Sequence, residues 1–118
     1  MKLFLHVKII ENNFDFKPGL TFSNATCSDL DNYSSPEVIA TVLKALNLSE
    51  KLFVYFELNE NSNAGSLLKV IQELRSYKKP MQIRYSGESN LLEKLILKLG
   101  GKPIDKEALE AEVGSFFN

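Results

Sequence analysis

The first residues alternate. Leu3, Leu5, Val7 and Ile9 fall on one side and Lys2, Phe4, His6 and Lys8 on the other, the period of two that predicts a strand with one buried face. In NFDFKPGLTFSN, Phe14 and Phe16 are separated from Leu20 and Phe22 by Lys17, Pro18 and Gly19. Proline sets φ and glycine permits a positive one, so an antiparallel hairpin is expected there. Residues 24–34 are polar and irregular and read as a loop.

From residue 34 the period changes. In SSPEVIATVLKAL, Ser34 or Ser35 can cap a helix and Pro36 suits its first turn, and Glu37 completes a capping box if Ser34 is the cap. Val38, Ile39, Val42, Leu43 and Leu46 then share one helical face. LFVYFEL is almost continuously apolar, as a central strand covered on both faces would be. A second helix is predicted from Ser62 or Asn63 to Tyr77, burying Leu67, Leu68, Ile71 and Leu74. MQIRY reads as a short strand, and ESNLLEKLILKLGG as a third helix closed by Gly100. The tail offers a short extended stretch near Lys102–Ile104 and then the helix-prone DKEALEAEV. Strands alternating with helices imply parallel neighbours. The pattern therefore predicts an α/β domain: a mixed sheet with an N-terminal antiparallel hairpin and helices mainly on one face.

Composition narrows the class. At 118 residues the chain is expected to be a single domain over 1–118, with an ordinary 44% hydrophobic and 25% charged residues. Fourteen basic against 15 acidic residues leave a net charge of −1, so no global field draws it to nucleic acid or to an anionic membrane. Its apolar runs are strand-sized, far short of the ~20 residues of a membrane span. MKLFLHVKII is interrupted by His6 and Lys8 and lacks the cleavage site of a signal peptide. A single cysteine, Cys27, excludes an internal disulfide framework and suits a reducing cytoplasm.

The chemical inventory is thin. One histidine and one cysteine cannot make a structural zinc site, which takes four such ligands. His6, alone among lysines, reads as a partly exposed sheet residue rather than a base, which needs a positioned partner. Cys27, with no basic neighbour to favour a thiolate, reads as a small loop residue. No cofactor is implied and an enzyme is not expected.

One stretch asks for more. Between LFVYFEL and the second helix lies a polar knot, Asn59 to Ser66, at a strand–helix junction of the kind that binds phosphates. A nucleotide loop would need a spaced second glycine and a lysine beside a serine or threonine, and NENSNAGSLLK has neither. Two readings remain. Ser62 is a plain helix cap, with Asn61, Asn63 and Gly65 shaping the turn. Alternatively Ser62 is a phosphorylation site, since a phosphate there would meet free N–H groups and the positive end of the helix dipole. Glu57 and Glu60 flank the knot and would make that surface locally acidic.

Together these segments resemble STAS domains, and within them most closely the SiaC family of bacterial partner-switching regulators. FDFKPGLTFSN is similar to the family's early hairpin, SSPEVIATVLKAL to its Ser-x-Pro-Glu helix start, and VYFELNENSNAGSLLKVIQEL to its strand, Asn-Thr-Ser-Ser turn and Leu-rich helix. The likeness runs from Phe14 to Gly101. It implies a non-enzymatic regulator that a serine/threonine kinase phosphorylates and a PP2C-type phosphatase restores, and that binds a signalling enzyme such as a diguanylate cyclase. The family's phosphorylated threonine then falls on Ser62, with Ser66 the second hydroxyl within reach, and Glu57, Glu60, Asn61, Asn63 and Gly65 form the partner contact. Aligned instead to the Asp-Ser-Ser-Gly turn of ordinary STAS domains, the phosphorylated position falls on Asn63, which carries no hydroxyl. The rival class is a stoichiometric inhibitor, an immunity protein or antitoxin, for which Glu107, Glu110 and Glu112 could supply an acidic patch to a basic toxin. Phe116 and Phe117 can pack on the core or on another subunit.

Overall fold

The computed structural model describes residues 1–11, 19–59 and 64–118. In chain order these form β1 (Lys2–Lys8), β2 (Thr26–Asp31), α1 (Pro36–Leu48), β3 (Lys51–Glu57), a 3₁₀ turn (Gly65–Leu67), α2 (Leu68–Ser76), β4 (Met81–Ser86), α3 (Asn90–Lys98), β5 (Lys102–Pro103) and α4 (Lys106–Phe117). Among the described residues the strands make one five-stranded sheet in the order β2-β1-β3-β4-β5, and every ladder is parallel. This is the doubly wound arrangement, in which strand order reverses between β1 and β3.

The class α/β stands; the antiparallel hairpin does not. Phe14, Phe16, Lys17 and Pro18 lie outside the described residues, and residues 19–25 form no strand. They cross the face of the sheet instead of joining it. The Leu20 N–H donates to His6 Nδ1 at 3.2 Å, and the Phe22 ring meets Phe4 edge-on, with centroids 4.7 Å apart. An extended segment lying on an apolar face shows the same period of two as a strand within a sheet, which is why the pattern misleads here. β2 falls in the stretch expected to be loop. It is an edge strand, TCSDLD, with only Leu30 fully buried, so it carries almost no hydrophobic signal.

Each face of the sheet is covered. Leu3, Leu5, Val7, Val54, Phe56 and Ile83 point into the larger core beneath α1, α2 and α3, whose buried residues include Ile39, Leu46, Val70, Ile71, Leu74 and Ile96. On the other face Phe4, Phe53 and Tyr55 pack under Leu109, Val113 and Phe117 of α4. β1 is therefore buried on both faces, not one, and His6 is 2% exposed rather than partly open. Phe117 is fully buried in this second layer. Lys2 and Lys51 donate to the carbonyls of Phe117 (2.6 Å) and Phe116 (2.8 Å), cations placed where the negative end of the α4 dipole favours them.

The helix starts differ in detail from the expected ones. Ser35 caps α1, accepting from the Val38 N–H at 3.3 Å, with Pro36 in the first turn. Ser34 is not the cap and forms no box with Glu37; its Oγ accepts from the Asp31 N–H at 3.0 Å in a tight turn. α1 buries Ile39, Val42, Leu43 and Leu46 but leaves Val38 exposed. α2 follows the 3₁₀ turn and buries Val70, Ile71 and Leu74, leaving Leu68 exposed. Among the described residues no helix is long and apolar enough to cross a membrane.

Candidate functional site

Because every strand is parallel, α1, α2, α3 and α4 all begin at the same edge of the sheet, where the strands end. At the reversal point Lys8 of β1 and Glu57 of β3 lie side by side in register, so the segments that follow both strands start together. In doubly wound sheets this crevice is where ligands bind.

On the α4 face the edge carries a buried polar layer. His6 Nδ1 accepts the Leu20 N–H, which leaves the ring proton on Nε2, donated to Glu57 Oε1 at 2.9 Å. Lys106, at the start of α4, lies 3.5 Å from the same carboxylate oxygen. The hydrogen bond from His6, reinforced by the Lys106 charge and opposed by burial, holds the Glu57 carboxyl at about 2. Next to it the Tyr55 hydroxyl bonds Ser86 Oγ, and burial pushes its pKa up despite that bond. Lys8 Nζ, also buried, pairs with Asp29 Oδ2 at 2.8 Å. These groups are engaged with one another. His6 has both ring nitrogens occupied and no route to solvent, and Glu57 has no proton to give near neutral pH. Their arrangement joins the 19–25 segment, β1, β3 and α4 into one layer.

On the α1–α2 face the edge is different. The Asn32 side chain grips the backbone of Ile10 twice, accepting from its N–H at 2.8 Å and donating to its carbonyl at 3.0 Å. Asp31 Oδ1 accepts the Tyr33 N–H at 2.7 Å, and the Tyr33 hydroxyl donates to the Glu11 carbonyl at 3.0 Å. Ser66 Oγ donates to the Ser34 carbonyl at 3.1 Å, drawing the start of α2 against the start of α1. Close to these two serines in the chain, Tyr33 (50%), Val38 (46%) and Leu68 (44%) expose large side chains.

The residues singled out in the sequence thus separate. Gly65, with φ +54, and Ser66 sit with α1. Glu57 points to the opposite face, held by His6 and Lys106, and adds no free charge beside the turn. Glu60, Asn61, Ser62 and Asn63 lie outside the described residues. The residues capping the 3₁₀ turn and α2, Ala64 and Leu67, make no side-chain cap bond. Sequence reasoning missed Tyr33, Val38 and Leu68 as surface groups; Tyr33 followed by the capping serines was the available signal. It also missed the His6–Glu57 pair, because nothing in the chain places residue 6 beside residue 57. Among the described residues no three His, Cys, Asp or Glu side chains gather to hold a metal ion. Comparison with protein-family models, curated proteins and solved structures gives no match.

Proposed function

We propose that the chain is a non-enzymatic regulatory domain that works by reversible contact with a partner protein. The contact surface is the edge where α1 and α2 begin, and phosphorylation of Ser62 controls it. The observation that carries this reading is the Ser66–Ser34 hydrogen bond, which joins the starts of two helices whose first turns and approach expose Tyr33, Val38 and Leu68. Amphipathic periodicity would bury Val38 and Leu68; apolar groups left at the first turns of two adjoining helices suit a protein interface, where aromatic and aliphatic anchors supply the affinity. Ser66, the last residue of the polar knot, lies on that surface. A phosphate on Ser62, close before Ser66 in the chain, would add about 1.5 to 2 negative charges and change affinity without unfolding the domain. The resemblance to SiaC-type regulators supports the reading through the 34–46 and 54–74 segments, the expected hairpin having dropped out. It makes the partner a signalling enzyme such as a diguanylate cyclase, with a serine/threonine kinase and a PP2C-type phosphatase acting on Ser62.

The test recovers the protein with its bound proteins from its own cells and maps phosphate by peptide mass spectrometry. Retained partners are then compared for wild type, Ser62→Asp and Leu68→Asp. Phosphate on Ser62 and loss of the same partner in both variants are expected. An unmodified Ser62 that a co-expressed neighbouring kinase also leaves bare, with unchanged partners in both variants, would sink the proposal.

A further inference from the structure

The chain's single histidine is buried on the face of the sheet that residues 19–25 cross. Its two ring nitrogens do unlike work. Nε2–H donates to Glu57, and Nδ1 accepts the Leu20 N–H at 3.2 Å. Only a neutral ring can do both, since a protonated imidazole donates from each nitrogen and accepts at neither. A second proton would set Nδ1–H against the Leu20 N–H, donor against donor, and leave the bond to Glu57 in place. Protonation therefore acts on the crossing segment and spares the pairing of β1 with β3.

That segment is held lightly. Among the described residues, the backbone of 19–24 makes no hydrogen bond to other backbone, and no residue from 19 to 25 is fully buried. Besides His6, its polar hold is Cys27, whose Sγ accepts the Phe22 N–H at 3.2 Å and donates to the carbonyls of Phe22 and Ala25. Sulfur is a weak partner in both roles. The rest is the Phe22 ring against Phe4, and Gly19 set so close to Asp29 that a Cβ would collide with its side chain. The charges around the ring are accounted for. Glu57 of β3, held at about 2 first by the His6 bond, keeps its charge in mild acid, and Lys106 of α4 faces that same carboxylate. Asp29, opposite His6 in β2, pairs with Lys8. The Tyr55 ring stacks on the imidazole, and burial keeps its hydroxyl protonated. Residues 19–25 bring no charged side chain.

We propose that His6 makes residues 19–25 an acid-released strap over the α4 face of the sheet. The closed strap shuts the ring from water, so the second proton binds only once the strap has lifted. Protonation then holds it open and uncovers Phe4 and the Cys27 thiol. Because the open form carries one proton more, opening becomes easier as pH falls. An imidazole in water takes that proton at about pH 6.5, so the opening constant rises about tenfold between about pH 7.5 and 5.5. Strap and α1–α2 edge lie on opposite faces, and either can act without the other.

The test is amide hydrogen exchange of the full chain, followed by NMR over that pH range, with each rate divided by that of an unstructured peptide at the same pH. Protection at Leu20 and Phe22 should fall about tenfold while the circular dichroism stays native, and both amides should be less protected than Val54 of β3 at every pH. His6→Asn sets a non-titrating acceptor near the place of Nδ1 and should remove the pH dependence. Leu20→Pro deletes the N–H at an exposed position and leaves the buried ring intact, so it decides the matter if His6→Asn does not fold. Phe22 should then be weakly protected and nearly insensitive to pH. Protection at Leu20 and Phe22 that does not change with pH, or that equals Val54 because the strap opens only with the whole fold, overturns the proposal. So does a pH dependence at Phe22 as large in either folded variant as in wild type.

Discussion

Glu57→Gln probes the polar layer beneath α4. The amide keeps the size of the side chain and an oxygen that accepts from His6 Nε2–H, but removes the charge that Lys106 faces. In the folded chain the carboxyl is held at about 2 against an ordinary value of 4.5, first by the His6 hydrogen bond and then by Lys106, with burial working against both. At 1.36 kcal/mol per pH unit the interval corresponds to about 3 kcal/mol. Water reaches the 22% of the side chain that remains exposed, and screening there reduces the working figure to about 2 kcal/mol. A carboxyl whose folded value is depressed stabilises the fold above its unfolded value and loses that contribution as pH falls through the folded one. Wild type should therefore exceed Glu57→Gln by about 2 kcal/mol at neutral pH, with the gap narrowing below about pH 5 and closing near about pH 2. Urea unfolding followed by circular dichroism, for both proteins at a series of pH values from neutral to about 3, measures the difference while other carboxylates cancel. A difference that does not change between about pH 5 and 3, or none at neutral pH, would refute the reasoning.

Three further substitutions test other joints of the fold. Gly87→Ala drives a Cβ into the Leu58 carbonyl oxygen at φ +82; left-handed strain and the forced backbone shift together should cost about 3 kcal/mol, read as a melting temperature lower by about 12 °C in calorimetry. Asn32→Ala removes both bonds to Ile10 and leaves buried backbone groups unpaired, a loss of about 2–3 kcal/mol that urea titration measures, with faster amide exchange at Ile10. Phe117→Ala empties a fully buried site between Phe53 and Phe116 and should lower stability by about 3–4 kcal/mol; a change below about 1 kcal/mol in denaturant unfolding would mean that α4 does not close that face.

Legibility along the chain follows the strength of local signals. The strand at 51–57, the helix over 36–48 and the third helix with its Gly100 stop have runs or periods that hydrophobicity alone reveals. β2 has one buried residue and no such signal, so it passed for loop. Leu20 and Phe22 show a strand's alternation without strand pairing, because covering a sheet face imposes the same period as belonging to one. Val38 and Leu68 share a helical face with core residues, and only the position of the neighbouring helix start leaves them outside. The candidate site was legible as a polar turn between a strand and a helix, but not as a surface, since its apolar members come from Tyr33 and Val38, remote in sequence.

By itself the sequence determined the alternation of strand and helix, the α/β class and the thin inventory of chemical groups. Periodicity and composition are properties of short windows, and these features need nothing more. The tertiary structure alone decided the parallel order with its reversal between β1 and β3, the second covering layer of α4, and the pairing of His6 with Glu57 across 51 residues. It also decided that Glu57, at the end of β3, and Ser66, in the turn before α2, look out on opposite sides. Successive residues of a strand point to opposite faces, and which face each helix takes is set by crossovers that no local window contains.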